Sequence, residues 1–577
     1  MRKSQKAEKK AEQNNTGKPG RLNFSILAAV FFVAITAIFP LYVTRTGYVS
    51  ITKEKTDLFL IFTFIAAIGA VIAIFVTAER FSPVNTAISY LRKTPFAIYD
   101  WALLVFLLLT LLSAIFSPWK DFVWNGFTIN AVQGRWEGFW AFLAYCIAFF
   151  IIARLYHPER RHFLIFAYSA SFLSICGILQ YMGFDIFYAT KYIIVEVNMP
   201  PLTRTFRTTL GNINIVSAYC SLIIVLFAAL FSTENSRWGI FYLIASSSAF
   251  WLQLITGGDA GNVGVLGAML LLIPYWFSGQ RRLGRILIVL SSWCVVHSAN
   301  QLYLSFIKSK TAVNSNIDMA DKNFLDTFTP FYPVPFIFLA VILLAGGLFL
   351  LYWKKKWSDR YMKIVGISLL GIIFIGGIIF VEILGSRITN QPNNTIWQAR
   401  EVLHGRFGNN FGSGRGWIWK AGMSVIKENP ILGTGPDTFF FALGGEQTTP
   451  LVDAMIEPQV ILSLGGLQFD GLRIIGQFVD KAHNTFLQIA VCMGLPALLA
   501  YLVFLGALFL PSIKKAFNRP VLFAFGAGAL SYLIQCFFQV DTPIDRPLLY
   551  IALGVMAVEL KQGTDRSADV PDIKKAV

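Results

Sequence analysis

Four short segments carry the side chains best suited to chemistry: Arg135 and Glu137 in G-R-W-E-G, Arg204 and Arg207 in R-T-F-R-T-T-L-G-N-I-N, Arg415 in G-S-G-R-G-W-I-W-K, and His483 with Asn484 in D-K-A-H-N-T-F-L-Q. A guanidinium stays charged beside lipid and grips an anion with two parallel N–H bonds. An imidazole titrating near neutral pH exchanges a proton with a reacting hydroxyl. Plainer roles compete with these. His483 at a helix start serves equally to bond a loop carbonyl, and Arg415 between tryptophans to anchor at lipid headgroups. Arg204 and Arg207 also fit ordinary interfacial charges, and Arg135 with Glu137 a structural pair at the membrane edge. Asp480, three residues before His483, is a candidate to orient the imidazole. His157, His162, His297 and His404 stand in no comparable motif. A Walker loop, a dinucleotide fingerprint, an H-E-x-x-H pair and a serine nucleophile elbow are all missing, which argues against ATP-driven and metal-hydrolase chemistry.

The elements that must position these residues are set by composition. Over 577 residues the chain is 55% hydrophobic and 14% charged, and 53 of its residues are phenylalanine. That is more apolar surface than a soluble core buries, so a bilayer has to act as solvent. Apolar windows near 24–43, 57–77, 98–116, 138–155, 162–182, 211–231, 237–256, 262–278, 284–304, 333–353, 361–383, 482–509, 519–538 and 547–560 predict an all-α polytopic membrane protein of about fourteen helices. Helix is required because nothing else satisfies the backbone in hydrocarbon. The net charge of +17 follows the linkers rather than one surface, which speaks against nucleic acid. Basic clusters at Arg80 with Arg92 and Lys93, Arg154 with Arg160 and Arg161, Arg281 with Arg282 and Arg285, Lys354 to Lys356, and Lys514 with Lys515 and Arg519 fall in alternate linkers. The positive-inside rule then places both termini in the cytoplasm, a basic tail over 1–23 and a second tail over 561–577. The six cysteines all lie in apolar windows without C-x-x-C spacing and are expected to be buried small residues.

Two outer segments stand out by length, 183–210 and 384–481, between helices 24–383 on one side and 482–560 on the other. Within the longer one, Ile418, Trp419, Gly422, Val425 and Ile426 recur at helical spacing, and Pro430 supplies a stop. Trp417 and Trp419 beside Arg415 and Lys420 suit a helix lying at headgroup level. The segments T-L-G-N-I-N, G-S-G-R-G-W-I-W-K-A-G through N-P-I-L-G-T-G-P-D-T-F, and A-H-N-T-F-L-Q-I-A with Gly494 and Leu495, in this order, resemble the O-antigen ligase and polymerase family over roughly 98–510.

That resemblance implies a membrane glycosyltransferase of C-type architecture in a bacterial plasma membrane. It would move a glycan from a polyprenyl (undecaprenyl) pyrophosphate carrier to an acceptor hydroxyl on a glycan, lipid or wall polymer, at the outer face. A sugar pyrophosphate already has a good leaving group, so cations that hold the diphosphate matter more than a strong acid. Carried over, the family histidine falls on His483, the outer-loop arginine on Arg415, and the earlier arginine on Arg204 or Arg207. Arg135, Asn212, Trp419, Lys420 and Asn484 are the accompanying candidate substrate contacts. The stretch T-G-G-D-A-G-N-V-G at 256–264 departs from the pattern by lacking an arginine. No cofactor or metal is expected. A protein hydroxyl acceptor remains open, as does the separate class of secondary transporter or lipid flippase, although the candidate charges cluster at one face and no repeat is visible.

Overall fold

A computed structural model describes residues 24–44, 46–48, 50–77, 95–128, 134–182, 184–187, 207–311, 333–388, 394–406, 408–409, 411–443, 460–464, 467–471, 473–474 and 477–565. Arg204, the tail 1–23, residues 566–577, the basic residues Arg80, Arg92 and Lys93, and most of 183–210 lie outside the described residues. Helices dominate: α1 (Phe24–Val33), α2 (Ile51–Thr77), α3 (Ile98–Phe116), α4 (Phe139–Leu155), α5 (Arg160–Tyr181), α6 (Ile213–Thr233), α7 (Gly239–Thr256), α8 (Asp259–Leu271) and α9 (Gln280–Thr311). They continue with α10 (Pro333–Tyr352), α11 (Asp359–Arg387), α12 (Thr395–Leu403), α13 (Phe411–Glu428), α14 (Thr485–Met493), α15 (Leu495–Lys515), α16 (Pro520–Gln535) and α17 (Arg546–Asp565). Two short antiparallel hairpins, Val460–Leu464 with Leu467–Gly471 and Arg473–Ile474 with Gln477–Phe478, interrupt the pattern in the long loop.

Each apolar window holds a helix, and among the described residues ten helical stretches are long and apolar enough to cross a membrane. Alanine, glycine and serine let helices approach closely where lipid gives no hydrophobic drive between them. The central helix α6 is an example: 94% of its apolar window is buried, among α5's neighbour α7, α8 and α16. At the other extreme only 6% of the α11 window is buried, and its isoleucines face outward, as a lipid-facing helix requires. Five of the six cysteines are buried and all six are unpaired, as expected.

The two ends of the bundle differ in chemistry. One end gathers the basic linkers. Arg154 pairs with Asp100, Arg160 with Glu234, Arg282 donates to the Phe517 carbonyl and Arg285 to that of Phe231. The opposite end collects the starts of α2, α4, α6, α8, α14 and α17. There Lys53 lies over the Trp136 ring, Tyr48 donates to the Thr208 carbonyl at 2.6 Å, and Ser217 donates to the Gly258 carbonyl at 3.3 Å. Here α1 passes through a π turn and ends at Pro40. Its orphaned carbonyls are satisfied by the buried Lys55, which donates to Phe39 and Pro40 at 2.9 and 3.1 Å, and by Thr209, which donates to Pro40 at 2.6 Å.

Candidate active site

The N-P-I-L-G-T-G-P-D-T-F segment is built to lie across a break in the bundle. Gly494 (φ +87°) separates α14 from α15, and its amide neighbour Leu495 donates to the Pro430 carbonyl at 2.8 Å. Thr434 and Gly435 donate to the carbonyls of Val491 and Cys492 at 3.1 and 2.7 Å. A Cβ at Gly433 (φ +63°) would meet the Val491 oxygen at 2.5 Å, so only glycine permits the contact. The result delivers Asp437 into the bundle end, where its carboxylate accepts from the amides of Phe127 and Glu137 at 2.7 and 3.2 Å.

Asp437 belongs to a buried ionic network. Lys481 pairs with Glu137 and, at 3.2 Å, with Asp437. Glu137 also meets Arg546 at 2.8 Å and accepts from the Tyr145 hydroxyl at 3.2 Å. Arg546 grips Asp541 with two N–H groups, and Asp541 accepts from Thr485 at 2.8 Å. Burial would drive the Lys481 ammonium to release its proton, but Asp437 and Glu137 outweigh it and hold the group charged. Nearby, burial and then Asp541 push the Asp545 carboxyl up to about 7. Arg135 and Glu137, expected to pair with each other, have separate partners. Arg135 instead holds both oxygens of Asp480. Burial alone would raise the Asp480 carboxyl, but Arg135 keeps it below its usual range. Asp480 is therefore committed to Arg135 and is not the orienting partner of the imidazole.

Between the two anchors, Asp480 and Lys481, and the cap of α14 sits His483. Its backbone is left-handed (φ 48°), an uncommon conformation for a non-glycine residue, held by flanking contacts. The Asn484 side-chain oxygen caps α14 by accepting from Leu487 at 3.0 Å, and the Ala482 amide donates to Gln488 at 2.8 Å. The imidazole Nδ1 is buried without a hydrogen-bond partner among the described residues. Burial first and then the Arg415 charge lower its proton affinity to about 4, with Asp480 opposing and Arg135 reinforcing. The ring is thus neutral at physiological pH and stands within electrostatic reach of Arg415. Burial likewise lowers Arg415, which is offset by Asp259 at the start of α8. The glycine-rich 256–264 stretch therefore brings an acidic residue to this arginine, though it contains none of its own.

Helix α13 carries Arg415, and its apolar stripe rests on protein. Ile418, Ala421, Val425 and Ile426 are buried, and a Cβ on Gly422 would stand 3.3 Å from Leu487 and 3.4 Å from Val491 of α14. Trp417 is buried too. The Trp419 indole donates to the Ala482 carbonyl at 3.0 Å, which fastens α13 to the residue before His483. Lys420 donates to Asn409 at 2.7 Å. Trp419, Lys420, Met423, Ser424, Lys427, Asn484 and Leu487 line an open cavity of about 470 Å³, whose lining includes the residue after His483 but not His483 itself.

The T-L-G-N turn serves a different purpose. Gln180 accepts from the amides of Arg207 and Thr208 at 3.2 and 2.7 Å, Gly211 (φ +80°) closes the turn, and Asn212 caps α6 by accepting from Asn214 at 2.8 Å. The Arg207 guanidinium lies over the Tyr48 ring at 5.7 Å. It shares the bundle end with His483 but does not figure among the charges acting on that ring. The sequence reading passed over Lys481, Asp437, Asp541 and Arg546. The available signal was ionisable residues flush against apolar runs, as in D-T-P-I-D-R-P-L-L-Y.

Fold and site define a polytopic α-helical membrane protein with a histidine–arginine centre at one end of its bundle. The family model described as O-antigen ligase matches residues 336–502, which takes in α12, α13, the N-P-I-L-G-T-G-P-D-T-F segment and His483. The match covers less than half of the chain and supports an O-antigen ligase family assignment for that stretch. No curated protein matches the chain.

Proposed function

We propose that the protein transfers a glycan from a polyprenyl pyrophosphate carrier to an acceptor hydroxyl at the outer face of the membrane, with His483 as base and Arg415 as diphosphate ligand. The observation that carries the reading is an imidazole nitrogen with no partner among the described residues, on a ring kept neutral within reach of an arginine, while its chain neighbour Asn484 lines an open cavity. The acceptor oxygen bonds to the anomeric carbon as the carbon–phosphate oxygen bond breaks. The acceptor proton passes to His483, and the electron pair leaves with the polyprenyl diphosphate, whose charge Arg415 stabilises. The diphosphate also tunes the base. Its negative charge offsets Arg415 and raises the imidazole's proton affinity when the donor is bound. Arg207, or Arg204 beyond the described residues, is a second cation for the donor. Lys420, Arg135 and Trp419 act by placing the groups around the centre.

In this reading the basic end of the bundle, with both termini, faces the cytoplasm, fourteen helices span the membrane, and 384–481 lies outside. Arginines take the place of a metal at the diphosphate. Reconstitution with a defined lipid-linked glycan tests the function. Transfer that depends on His483 and persists with chelator supports it, and transfer that requires an added divalent ion sinks the metal-free part. A ladder of lengthening products indicates a polymerase, a single transferred block a ligase, and glycan on serine or threonine a protein acceptor. Cysteine labelling at positions 207 and 415 must report the same membrane side.

A further inference from the structure

A second cavity, of about 480 Å³, opens on the far side of Lys420 between α12 and α13. On α12, Trp397, Gln398 and Glu401 stand at spacing i, i+1, i+4 and so share one face. They meet Arg406, Asn409 and Phe411 across the opening. The helix is held by its other side: Arg400 and His404 both bond Glu382 at the end of α11, at 2.9 Å each, and Asn394 caps it. The two aromatic rings belong to the cavity wall together with a carboxylate, a guanidinium and two amides. Glu401 and Arg406 form a two-bond fork at 2.8 Å each, which presents fixed donors and acceptors. The cavity wall is linked by packing to the residues around His483. Phe411 packs on Trp419 with ring centroids 5.8 Å apart, and Trp419 bonds the residue preceding His483.

A pyranose ring has one face of C–H groups and a rim of hydroxyls. It matches a wall where aromatic faces alternate with planar amide, carboxylate and guanidinium groups. A lipid headgroup needs none of the aromatic lining, and an acyl chain would leave the polar lining unmatched. The size lies within the roughly 300–1,000 Å³ typical of ligand pockets. We infer that this cavity is a glycan subsite that holds sugar rings remote from the bond being made. The inference rests on the transferase reading for its glycan and deepens it. Binding of remote rings is how such an enzyme would orient a long chain at a distant histidine.

The test uses the full-length protein in nanodiscs and, as probe, the oligosaccharide released by mild acid from the lipid-linked pool of the cells that make it. Binding is read by saturation-transfer NMR. Trp397→Ala is expected to weaken binding about tenfold or more, and Trp397→Phe, which keeps an apolar ring, about threefold or less. His483→Ala is expected to bind like the wild type. Wild-type binding by Trp397→Ala overturns the subsite, as does equal loss in His483→Ala, which would locate the sugar at the catalytic centre. Displacement by equimolar glycerol phosphate overturns it in favour of a headgroup site. If the wild-type protein binds the released oligosaccharide but never transfers the glycan from the intact lipid-linked donor, the transferase reading fails and the subsite stands.

Discussion

Two sets of charges share one end of this bundle and are treated in opposite ways. Arg135, Glu137, Asp437, Asp480, Lys481, Asp541 and Arg546 are each bonded to an opposite charge and, apart from the part-exposed Arg135, fully buried. His483, one residue beyond Lys481 and Ala482, keeps a nitrogen unpartnered among the described residues and feels Arg415 as a repulsive neighbour. The network is ion-paired throughout, although Asp437 Oδ1 has only its ion pair to Lys481 and no hydrogen bond among the described residues, and it fixes the backbone on which His483 and Arg415 are mounted. The contrast assigns scaffold to the first set and chemistry to the second, because an unmet polar group persists at a working site only when its surroundings are rigid.

The contrast breaks most visibly if the two sets respond alike to truncation. His483→Ala should lower the transfer rate by about 10²- to 10⁴-fold, and Arg415→Ala by about 10²- to 10³-fold. Both should keep a wild-type thermal unfolding midpoint in detergent. Transfer at the wild-type rate by either variant removes the assigned role. Lys481→Ala should do the reverse first. It leaves Glu137 with one cation fewer and Asp437 facing none, a change that costs about 3–5 kcal/mol. The readout is loss of the monodisperse peak on size exclusion or a sharply lowered midpoint. A stable Lys481→Ala protein with normal midpoint would mean that the network is ornamental to folding.

A finer separation comes from pH. Because burial and Arg415 hold His483 near 4, the free enzyme keeps its base in the neutral form at all pH values above that. Activity is lost as pH falls through about 4, when the ring takes up its proton, and not through the ordinary histidine value of about 6.5. The acid limb of kcat/KM, measured with the lipid-linked donor, should therefore lie near 4. The limb of kcat should lie higher, since the bound diphosphate offsets Arg415. An acid limb of kcat/KM at the ordinary histidine value contradicts the buried, repelled ring.

Much of this arrangement was readable in advance and some was not, for physical reasons. Hydropathy placed a helix in each apolar window because the bilayer imposes one solution on the backbone, but it left α12 in the long loop unread. The A-H-N and R-G-W-I-W-K segments marked His483 and Arg415 as candidates by their motifs, although Arg135 and Asp259, which act on them, come from distant parts of the sequence. The partners of Arg135 were invisible, since Asp480 lies 345 residues away and ion pairing across such a span follows from tertiary packing alone. For the same reason the proximity Arg135–Glu137 suggested a pair that the fold does not make. The tryptophans of α13 suggested a helix at headgroup level. Its apolar stripe packs on α14, where Gly422 lets the two helices approach.

Asn484 tests the boundary between the two sets, since the sequence marks it as a substrate contact and the structure uses its oxygen as a helix cap. Asn484→Ala removes the cap and should cost about 0.5–2 kcal/mol, seen as a modest drop in the unfolding midpoint. Asn484→Asp retains a capping oxygen and adds a negative charge at the positive end of α14, so stability should be restored or slightly improved. That same charge lines the cavity shared with Lys420, where a diphosphate would be repelled. If Asn484 only caps, the Asp variant recovers both midpoint and transfer rate. If it also faces the donor, the midpoint recovers while KM for the lipid-linked donor rises several-fold, and the residue belongs with the chemistry rather than the scaffold.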